Sequence, residues 1–198
     1  MSSRDTYHHG DLKATILGEA ALLVAERGAD GLSLRELARA AGVSHAAPAH
    51  HFTDRRGLFT ALATEGFRKL ADALAGARPD FLDAALAYVR FAIDHPGHYA
   101  VMFDKSLYDA SDTELVAAET AAGAELAAGV GTLDDARAKD DPQAAALAAW
   151  SLVHGFSLLL LNNAVDDGTD PMATVRRVAG MLFGTPSDDD QAARREPR

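Results

Sequence analysis

The sequence contains no cysteine and only one tryptophan in 198 residues. Without cysteine there is no disulfide, thiolate metal site or cysteine nucleophile, so secreted disulfide scaffolds and zinc ribbons are excluded. Runs of β-branched residues are also missing, whereas alanine and leucine are abundant, and this composition favours helices. The N-terminal segment MSSRDTYHHGD has no apolar core. It therefore predicts no signal peptide, and we expect a cytoplasmic protein.

Positive charge is scarce as well, with 19 basic against 29 acidic side chains and a net charge of -10. Such an acidic total argues against nucleic acid as a partner, because phosphates repel a like-charged protein. The charge is unevenly placed, however. Residues 1–56 carry seven basic and seven acidic side chains and five of the eight histidines, whereas residues 57–198 carry the whole excess. Residues 32–56 carry four basic and two acidic side chains. The acidic total of the chain is therefore compatible with an N-terminal segment that binds DNA.

One apolar run, residues 144–161, has nearly the length of a membrane span. His154 and Gly155 interrupt it, and aspartates without a basic anchor lie at both ends. These features favour a helix buried in the protein or at a subunit interface over a membrane span.

Apolar spacing and capping residues predict an all-α fold. Ser33 and Glu36 have the spacing of a capping box, in which two side chains satisfy opposite backbone donors. Pro142 and Pro171 follow the caps Asp141 and Asp170 in two later helices. The predicted helices cover residues 11–27, 33–42, a third helix from near Ser44, 54–78, 80–94, 98–108, 112–129, 141–164 and 170–183. Residues 185–198 have no apolar periodicity and are predicted to be a disordered tail.

The segment SLRELARAAGVSHAAPAHHF, residues 33–52, carries the most specific pattern. Two short helices separated by a glycine turn, Ala41-Gly42-Val43-Ser44, have the spacing of a helix-turn-helix. The second helix would present small residues and histidines outwards. Small side chains allow a helix to approach base edges closely, so this helix is predicted to enter a major groove.

From about Tyr7 to Leu70 the sequence resembles the tetracycline-repressor (TetR) family of bacterial transcription regulators, chiefly through ILGEAALLVAERGADGLSLRELARAAGVSHAAPAHHFTDRRGLFTAL. The resemblance implies a three-helix DNA-binding domain over residues 1–56 and a larger helical domain for ligand binding and dimerisation over residues 57–184. Residues on the recognition helix would then be His45, Ala46, Ala47, Ala49 and His50, and Ser44 near the start of that helix would also bind DNA. Phosphates would be contacted by Ser33, His51 and Arg55.

Two residues depart from the family pattern. The family commonly has a tyrosine where Ala49 stands and a leucine-like residue where Pro48 stands. DNA binding is therefore expected to depend more on the histidines and on an N-terminal arm with Arg4 and His8. Ala49 also keeps an alternative open, in which the chain is a small-molecule sensor or interaction protein of this fold whose DNA contacts have decayed.

The C-terminal half contains Trp150-Ser151-Leu152-Val153-His154-Gly155, a Trp-x-x-x-His-Gly pattern similar to that of the regulatory domains in one subgroup of the family. Trp150 and His154 are predicted to share one helix face, either as ligand contacts or as core residues with a hydrogen-bonded histidine. Candidate ligand-binding residues are Phe91, Tyr99, Met102, Phe103, Trp150 and His154, which can equally fill the core. Apolar residues 158–161 and 175–182 exceed what one small domain can bury, which predicts an isologous dimer.

Other chemistry finds little support in the sequence. Adjacent His50 and His51 point to different helix faces, which disfavours a shared metal, and His95 and His98 bracket the helix break Pro96-Gly97 as an interhelical corner. No catalytic constellation or phosphate-binding glycine loop is recognisable. The sequence thus predicts a ligand-responsive DNA-binding regulator, in the form of a repressor released from a pseudo-palindromic operator, with no enzymatic activity, no cofactor and no metal.

Overall fold

The computed structural model describes residues 4–77, 81–165, 168 and 170–183 of the chain. These residues form ten helices and no strand, which confirms the all-α prediction. In chain order the helices are α1 (Arg4–Arg27), α2 (Leu34–Ala40), α3 (Ala47–Phe52), α4 (Arg55–Gly76), α5 (Phe81–Asp94), α6 (Pro96–Met102), α7 (Thr113–Val130), α8 (Ala136–Asp140), α9 (Pro142–Leu161) and α10 (Pro171–Phe183).

The chain divides into two compact units. The first consists of Met1–Ala71 with Asp94–Ala122, and the second of Asp72–Ile93 with Gly123–Arg198. The predicted functional division after residue 56 falls in the first turn of α4. That division concerns which residues bind DNA and which bind ligand, and it stays a prediction.

The first unit is organised around the helix-turn-helix. Ile16 and Ala20 of α1, Leu37 of α2, and Leu58 and Leu62 of α4 are completely buried in its core. The predicted apolar face of α1 is therefore the face that packs.

Helix α6 lies unusually close to its neighbours in this unit. A Cβ atom added to Gly97 would come within 1.9 Å of the Ala21 carbonyl oxygen on α1, and one added to Gly66 on α4 would come within 2.5 Å of the Met102 sulfur. Gly97 thus permits a backbone approach between α6 and α1 that no other residue allows, whereas Gly66 leaves room for the Met102 side chain against α4.

The core of the second unit contains Tyr88 and Val89 of α5, Ala149 and Val153 of α9, and Val175 of α10, all of them buried. Because Val175 is buried within its own unit, it does not belong to the exposed apolar surface that the sequence predicted for a dimer interface. Asp141 and Asp170 cap α9 and α10 through the amides of Ala144 and Met172, as their positions predicted.

Helix α9 is long and apolar enough to cross a membrane, and 28% of its most apolar window is buried. It is the one helix of this kind among the residues that the structure describes. A helix at the surface of a folded unit with several exposed leucines also fits an interface between protein chains, which is the interpretation that the sequence favoured.

Several helix boundaries differ from their predictions. Helix α1 begins at Arg4, seven residues before the predicted start, so the expected N-terminal arm is helical. Apolar periodicity marks the packed part of a helix rather than its full length. The short helix α8 was missed, because five residues capped by Asp135 are too few to display a period. The predicted tail, residues 185–198, lies outside the described residues.

The predicted helix over residues 98–108 is shorter and begins earlier. Pro96 occupies the first turn of α6, and the helix ends at Met102 because the Tyr108 hydroxyl donates to the Met102 carbonyl at 2.8 Å. Asp104 then accepts from the amide of Ser106 in a local turn. This hydrogen bonding by side chains competes with continued helix.

Candidate nucleic-acid interface

The turn between α2 and α3 has the geometry that the sequence predicted. Gly42 adopts a left-handed conformation with φ 66°, and the amides of Val43 and Gly42 donate to the carbonyls of Ala38 and Arg39 at 3.0 and 3.3 Å. This pair of bonds is a Schellman motif, which satisfies the last carbonyls of α2. A side chain at position 42 would strain the turn, so glycine fixes the reversal between the two helices.

The capping box at the start of α2 is only half formed. The Ser33 hydroxyl oxygen accepts from the Glu36 amide at 3.2 Å, as predicted. The Glu36 carboxylate does not return to Ser33 and contacts the guanidinium groups of Arg27 and Arg39 instead. The reciprocal bond was therefore wrong, because nearby arginines attract the carboxylate more strongly than a backbone amide does.

Helix α3 begins at Ala47, three residues later than predicted. Pro48 has no N–H to donate to the Ser44 carbonyl, and that carbonyl accepts from the Ala47 amide at 3.0 Å in a tighter turn. His45 and Ala46 consequently precede the helix, and their predicted position on it was wrong, as was the predicted start near Ser44. The first helical hydrogen bond runs from the His50 amide to the Ala46 carbonyl at 2.9 Å.

The side chains predicted to contact DNA nonetheless lie mainly at the surface. Exposed residues are Ser33, Ser44, His45, Ala46, Ala49 and His50, whereas Ala47, His51 and Arg55 are half-buried. Pro48 and Phe52 are buried on the opposite side of α3. The packing thus leaves one face of α3 and the turn before it at the surface.

The junction between α3 and α4 is tight and strained. Thr53 adopts φ 66° and ψ -60°, and the Asp54 amide donates to the Phe52 carbonyl at 2.7 Å, which forms a γ-turn that is unfavourable for a residue with a side chain. A Cβ atom added to Gly57 would lie 2.0 Å from the Phe52 carbonyl oxygen. The Asp54 carboxylate accepts from the Gly57 amide at 2.8 Å and caps α4. These contacts set the direction of α3 relative to α4.

The Arg55 side chain is directed towards the loop between α1 and α2. Its Nε donates to the Leu32 carbonyl at 3.1 Å and its Nη2 donates to the Ala29 carbonyl at 2.7 Å. The guanidinium carbon also lies 4.7 Å from the centroid of the Phe59 ring. The guanidinium thus already has protein partners in the absence of DNA.

An open groove of about 630 Å³ adjoins the end of α3 within the first unit. Basic residues Lys13, His51, Arg56 and Arg68 line it. Acidic residues of its lining are Asp54, Glu65, Asp109, Asp112 and Glu114. Arg68 forms an ion pair with Glu114 at 2.8 Å, and Lys13 lies 5.8 Å from the centroid of the Phe52 ring.

The second unit contains a polar cluster around a buried tyrosine. Nε1 of Trp150 donates to the Tyr88 hydroxyl at 3.2 Å, and the same hydroxyl lies 3.2 Å from Nδ1 of His154. Burial lowers the pKa of His154 below its ordinary value. When the neutral imidazole carries its proton on Nε2, the hydroxyl donates to Nδ1. Trp150 and His154 share a helix face as predicted, with ring centroids 5.8 Å apart.

The six predicted ligand-binding residues fall in both units. Tyr99, Met102 and Phe103 belong to the first, where the Phe103 ring packs against the rings of Tyr99 and Phe67 at 5.1 and 5.7 Å between centroids. Phe91, Trp150 and His154 belong to the second. Tyr99, Met102 and Phe91 are almost fully buried, a placement that suits core residues. The role of these six residues in ligand binding stays a prediction.

Sequence reasoning missed Tyr88 and Gly57. Tyr88 occupies an ordinary core position on α5, and its hydroxyl meets partners more than 60 residues away in sequence, a contact that periodicity does not signal. Gly57 follows two arginines at a helix start, where glycine is poorly suited to helix; that local mismatch was the available signal of a close approach.

Two family profiles match the chain. Residues 16–62 match the profile described as bacterial regulatory proteins of the tetR family. Residues 81–182 match the profile described as the tetracyclin repressor-like C-terminal domain. No curated protein matches the chain significantly.

Solved structures give the same result for the fold. A protein with unknown function from Rhodococcus sp. RHA1 is 33% identical, with a TM-score of 0.72, over 89% of this chain and 96% of that one. A bacterial regulatory protein in the tetR family from Rhodococcus RHA1 is 21% identical, with a TM-score of 0.69, over 87% and 95% of the two chains. The TetR-family transcriptional regulator PfmR from Thermus thermophilus is 22% identical, with a TM-score of 0.58, over 85% and 96%.

Proposed function

Because this chain belongs to the tetracycline-repressor (TetR) family of bacterial regulatory proteins, we propose that it is a dimeric repressor released from a pseudo-palindromic operator by a small-molecule effector. Family membership makes it a ligand-responsive DNA-binding regulator rather than an enzyme. Beyond family membership, we propose the repressor role, the symmetry of the operator, the cytoplasmic location and the residues at each site. The observation that carries the proposal is the exposed face formed by α3 and the turn before it.

This face suits a major groove. His45 and His50 are exposed and supply hydrogen-bonding ring nitrogens, while Ala46 and Ala49 leave room for base edges and can pack against a thymine methyl. Each protomer would place one such face in a major groove, with the two half-sites about one helical turn apart.

Phosphate contacts would flank this face. The Ser33 hydroxyl oxygen already accepts from the Glu36 amide, and its own proton remains suited to donation towards a phosphate oxygen. Ser44 and His51 lie at the two ends of the segment that carries α3, so they would fix the orientation of the helix on the duplex.

Dimerisation through α9 and α10 would complete the DNA-binding protein. Leu147, Leu158 and Leu159 on α9 and Met181 on α10 are exposed, with Met181 82% accessible. Antiparallel packing of these helices against a second copy would bury this apolar surface in an isologous interface. Light scattering at micromolar concentration should then give about twice the chain mass of 20.9 kDa; the mass of a single chain would contradict the dimer.

Effector binding is assigned to the helical remainder of the chain, residues 57–184. The Trp-x-x-x-His-Gly pattern supports a role for Trp150 and His154, and Trp150 retains 40% of its accessible surface. An effector would shift the dimer towards a geometry that no longer fits both half-sites, by binding that state more tightly. A thermal-shift screen of small apolar compounds tests this assignment, since a ligand of the folded state raises the melting temperature.

The DNA-binding assignment is tested by gel shifts with the DNA upstream of the protein's own gene at two salt concentrations. Replacing His45 and His50 by Gln should weaken the specific complex, whereas Arg90→Ala on the exposed side of α5 should leave it unchanged. Ala49 supports the second candidate, a sensor of this fold without DNA contacts. No specific complex at low salt, together with retained ligand binding, would favour that second function.

A further inference from the structure

We propose that Arg55 positions the helix-turn-helix through its two main-chain contacts, and that the neighbouring Arg56 supplies the phosphate contact at this end of the recognition helix. The Arg56 part rests on the proposed DNA-binding function, whereas the Arg55 part concerns the folded chain alone. The family resemblance had assigned the phosphate contact to Arg55.

The contacts of Arg55 occupy one edge and one face of its guanidinium. An arginine usually recognises phosphate through two parallel N–H groups along one edge of its guanidinium. The Nε–Nη2 edge of Arg55 already donates to Leu32 and Ala29 at 3.1 and 2.7 Å. One face of the guanidinium is covered by Phe59. A phosphate at this edge would have to displace or share these contacts, and only the end of the guanidinium formed by Nη1 and the second Nη2 proton keeps unused donors.

The same contacts give Arg55 a positioning role. Ala29 and Leu32 lie in the loop that joins α1 to α2, directly before the Ser33 cap. Arg55 itself is the first residue of α4, directly after the strained turn at Thr53. The guanidinium therefore connects the start of α2 to the start of α4, and α3 lies between them in the chain. Loss of this connection would loosen α2 and α3 together.

Arg56 has the opposite surroundings. It is exposed and lines the open groove next to His51 and Thr53, beside the end of α3. It forms no ion pair with the residues that the structure describes. Hydrogen bonds from Ser111 chiefly lower the pKa of the nearby Asp109 carboxyl, and the Arg56 charge adds a weak attraction. Lys13 adds a second positive charge to the same lining, which also carries the five acidic residues named above. Arg56 can therefore reach a phosphate without giving up an existing partner.

Four substitutions in the full chain separate the two roles: Arg55→Ala, Arg55→Lys, Arg56→Ala and Arg56→Lys, with Arg90→Ala as a control that removes one positive charge from α5. Melting temperature reports the positioning role. Each DNA phosphate contact contributes about -0.9 to the slope of log K against log salt concentration, so the slope reports the phosphate role.

For Arg55 we expect both substitutions to lower the melting temperature by about 4–10 °C, since a lysine cannot reproduce the paired donation from Nε and Nη2. Their salt slopes should match that of the unsubstituted chain. Two results would overturn the positioning role and return the phosphate contact to Arg55. One is a melting temperature in Arg55→Lys equal to that of the unsubstituted chain, and the other is a reduced salt slope in Arg55→Ala at an unchanged melting temperature.

For Arg56 we expect an unchanged melting temperature and a slope reduced by about 0.9 per protomer in Arg56→Ala, largely restored in Arg56→Lys. A slope equal to that of Arg90→Ala would overturn the assignment. If the unsubstituted chain binds no DNA, the proposed function and the Arg56 assignment fail together, while the melting temperatures still decide the role of Arg55.

Discussion

Replacing Tyr88 by phenylalanine tests the polar cluster of the second unit most sharply. The substitution removes a buried hydroxyl that Trp150 and His154 contact at 3.2 Å each, and it keeps the ring that fills the core. Each lost hydrogen bond costs about 0.5–1.5 kcal/mol. Water can replace the partner of the half-exposed Trp150 but reaches the half-buried His154 less easily, so we expect a loss of about 2 kcal/mol in the free energy of unfolding.

The single tryptophan makes this effect directly observable. Urea unfolding followed by helical circular dichroism measures the loss of stability, and Trp150 emission reports the change in the hydrogen bonding of its indole. Tyr108→Phe is a matched control, because it removes an equally buried hydroxyl that donates to Met102 in the first unit. The control should lose about 1 kcal/mol without altering the emission of the folded protein. A Tyr88→Phe chain with unchanged stability and emission would refute the importance of the cluster.

Three further predictions concern backbone geometry and pH. Thr53→Gly should raise the free energy of unfolding by about 1 kcal/mol, because strain of about 1–3 kcal/mol is relieved and part is offset by chain entropy; a lower melting temperature would contradict the strained turn. Gly97→Ala should lower the free energy of unfolding by about 1–3 kcal/mol or more. Gly18→Ala, with open space around the added methyl, should raise the free energy of unfolding slightly. Equal effects of the two substitutions in urea unfolding would argue against the close approach of α6. Because burial lowers the pKa of His154 in the folded protein, its contribution is fully present above its ordinary pKa of about 6.5 and is lost as the pH falls through the folded value. His154→Gln should therefore flatten the decline in stability between about pH 7.5 and pH 5, and an unchanged decline would count against this assignment.

Local signals explain what the sequence predicted well. The Ser33 cap, the glycine of the turn at Gly42 and the apolar spacing of α1 each act within a few residues, and each appears in the structure where the sequence placed it. The start of α3 was predicted wrongly for an equally local reason. The missing N–H of Pro48 deprives the Ser44 carbonyl of a helical donor, and the sequence contained that information.

Contacts between distant residues could not be predicted in the same way. Arg55 reaches carbonyls 23 and 26 residues earlier, and Tyr88 meets Trp150 and His154 across the second unit. A charge at a helix start indicates a phosphate site only if its side chain has no better partner, and only the fold reveals that partner. The family resemblance supplied a role for Arg55 that its contacts now place in question.

The central claim is that this chain recognises a specific operator. Its most direct test is the ratio between its affinity for the DNA upstream of its own gene and its affinity for scrambled DNA of the same length, measured by fluorescence anisotropy near physiological salt. We expect a ratio of at least about 10³, with two protomers bound per operator. Equal affinities for the two DNAs would contradict the claim.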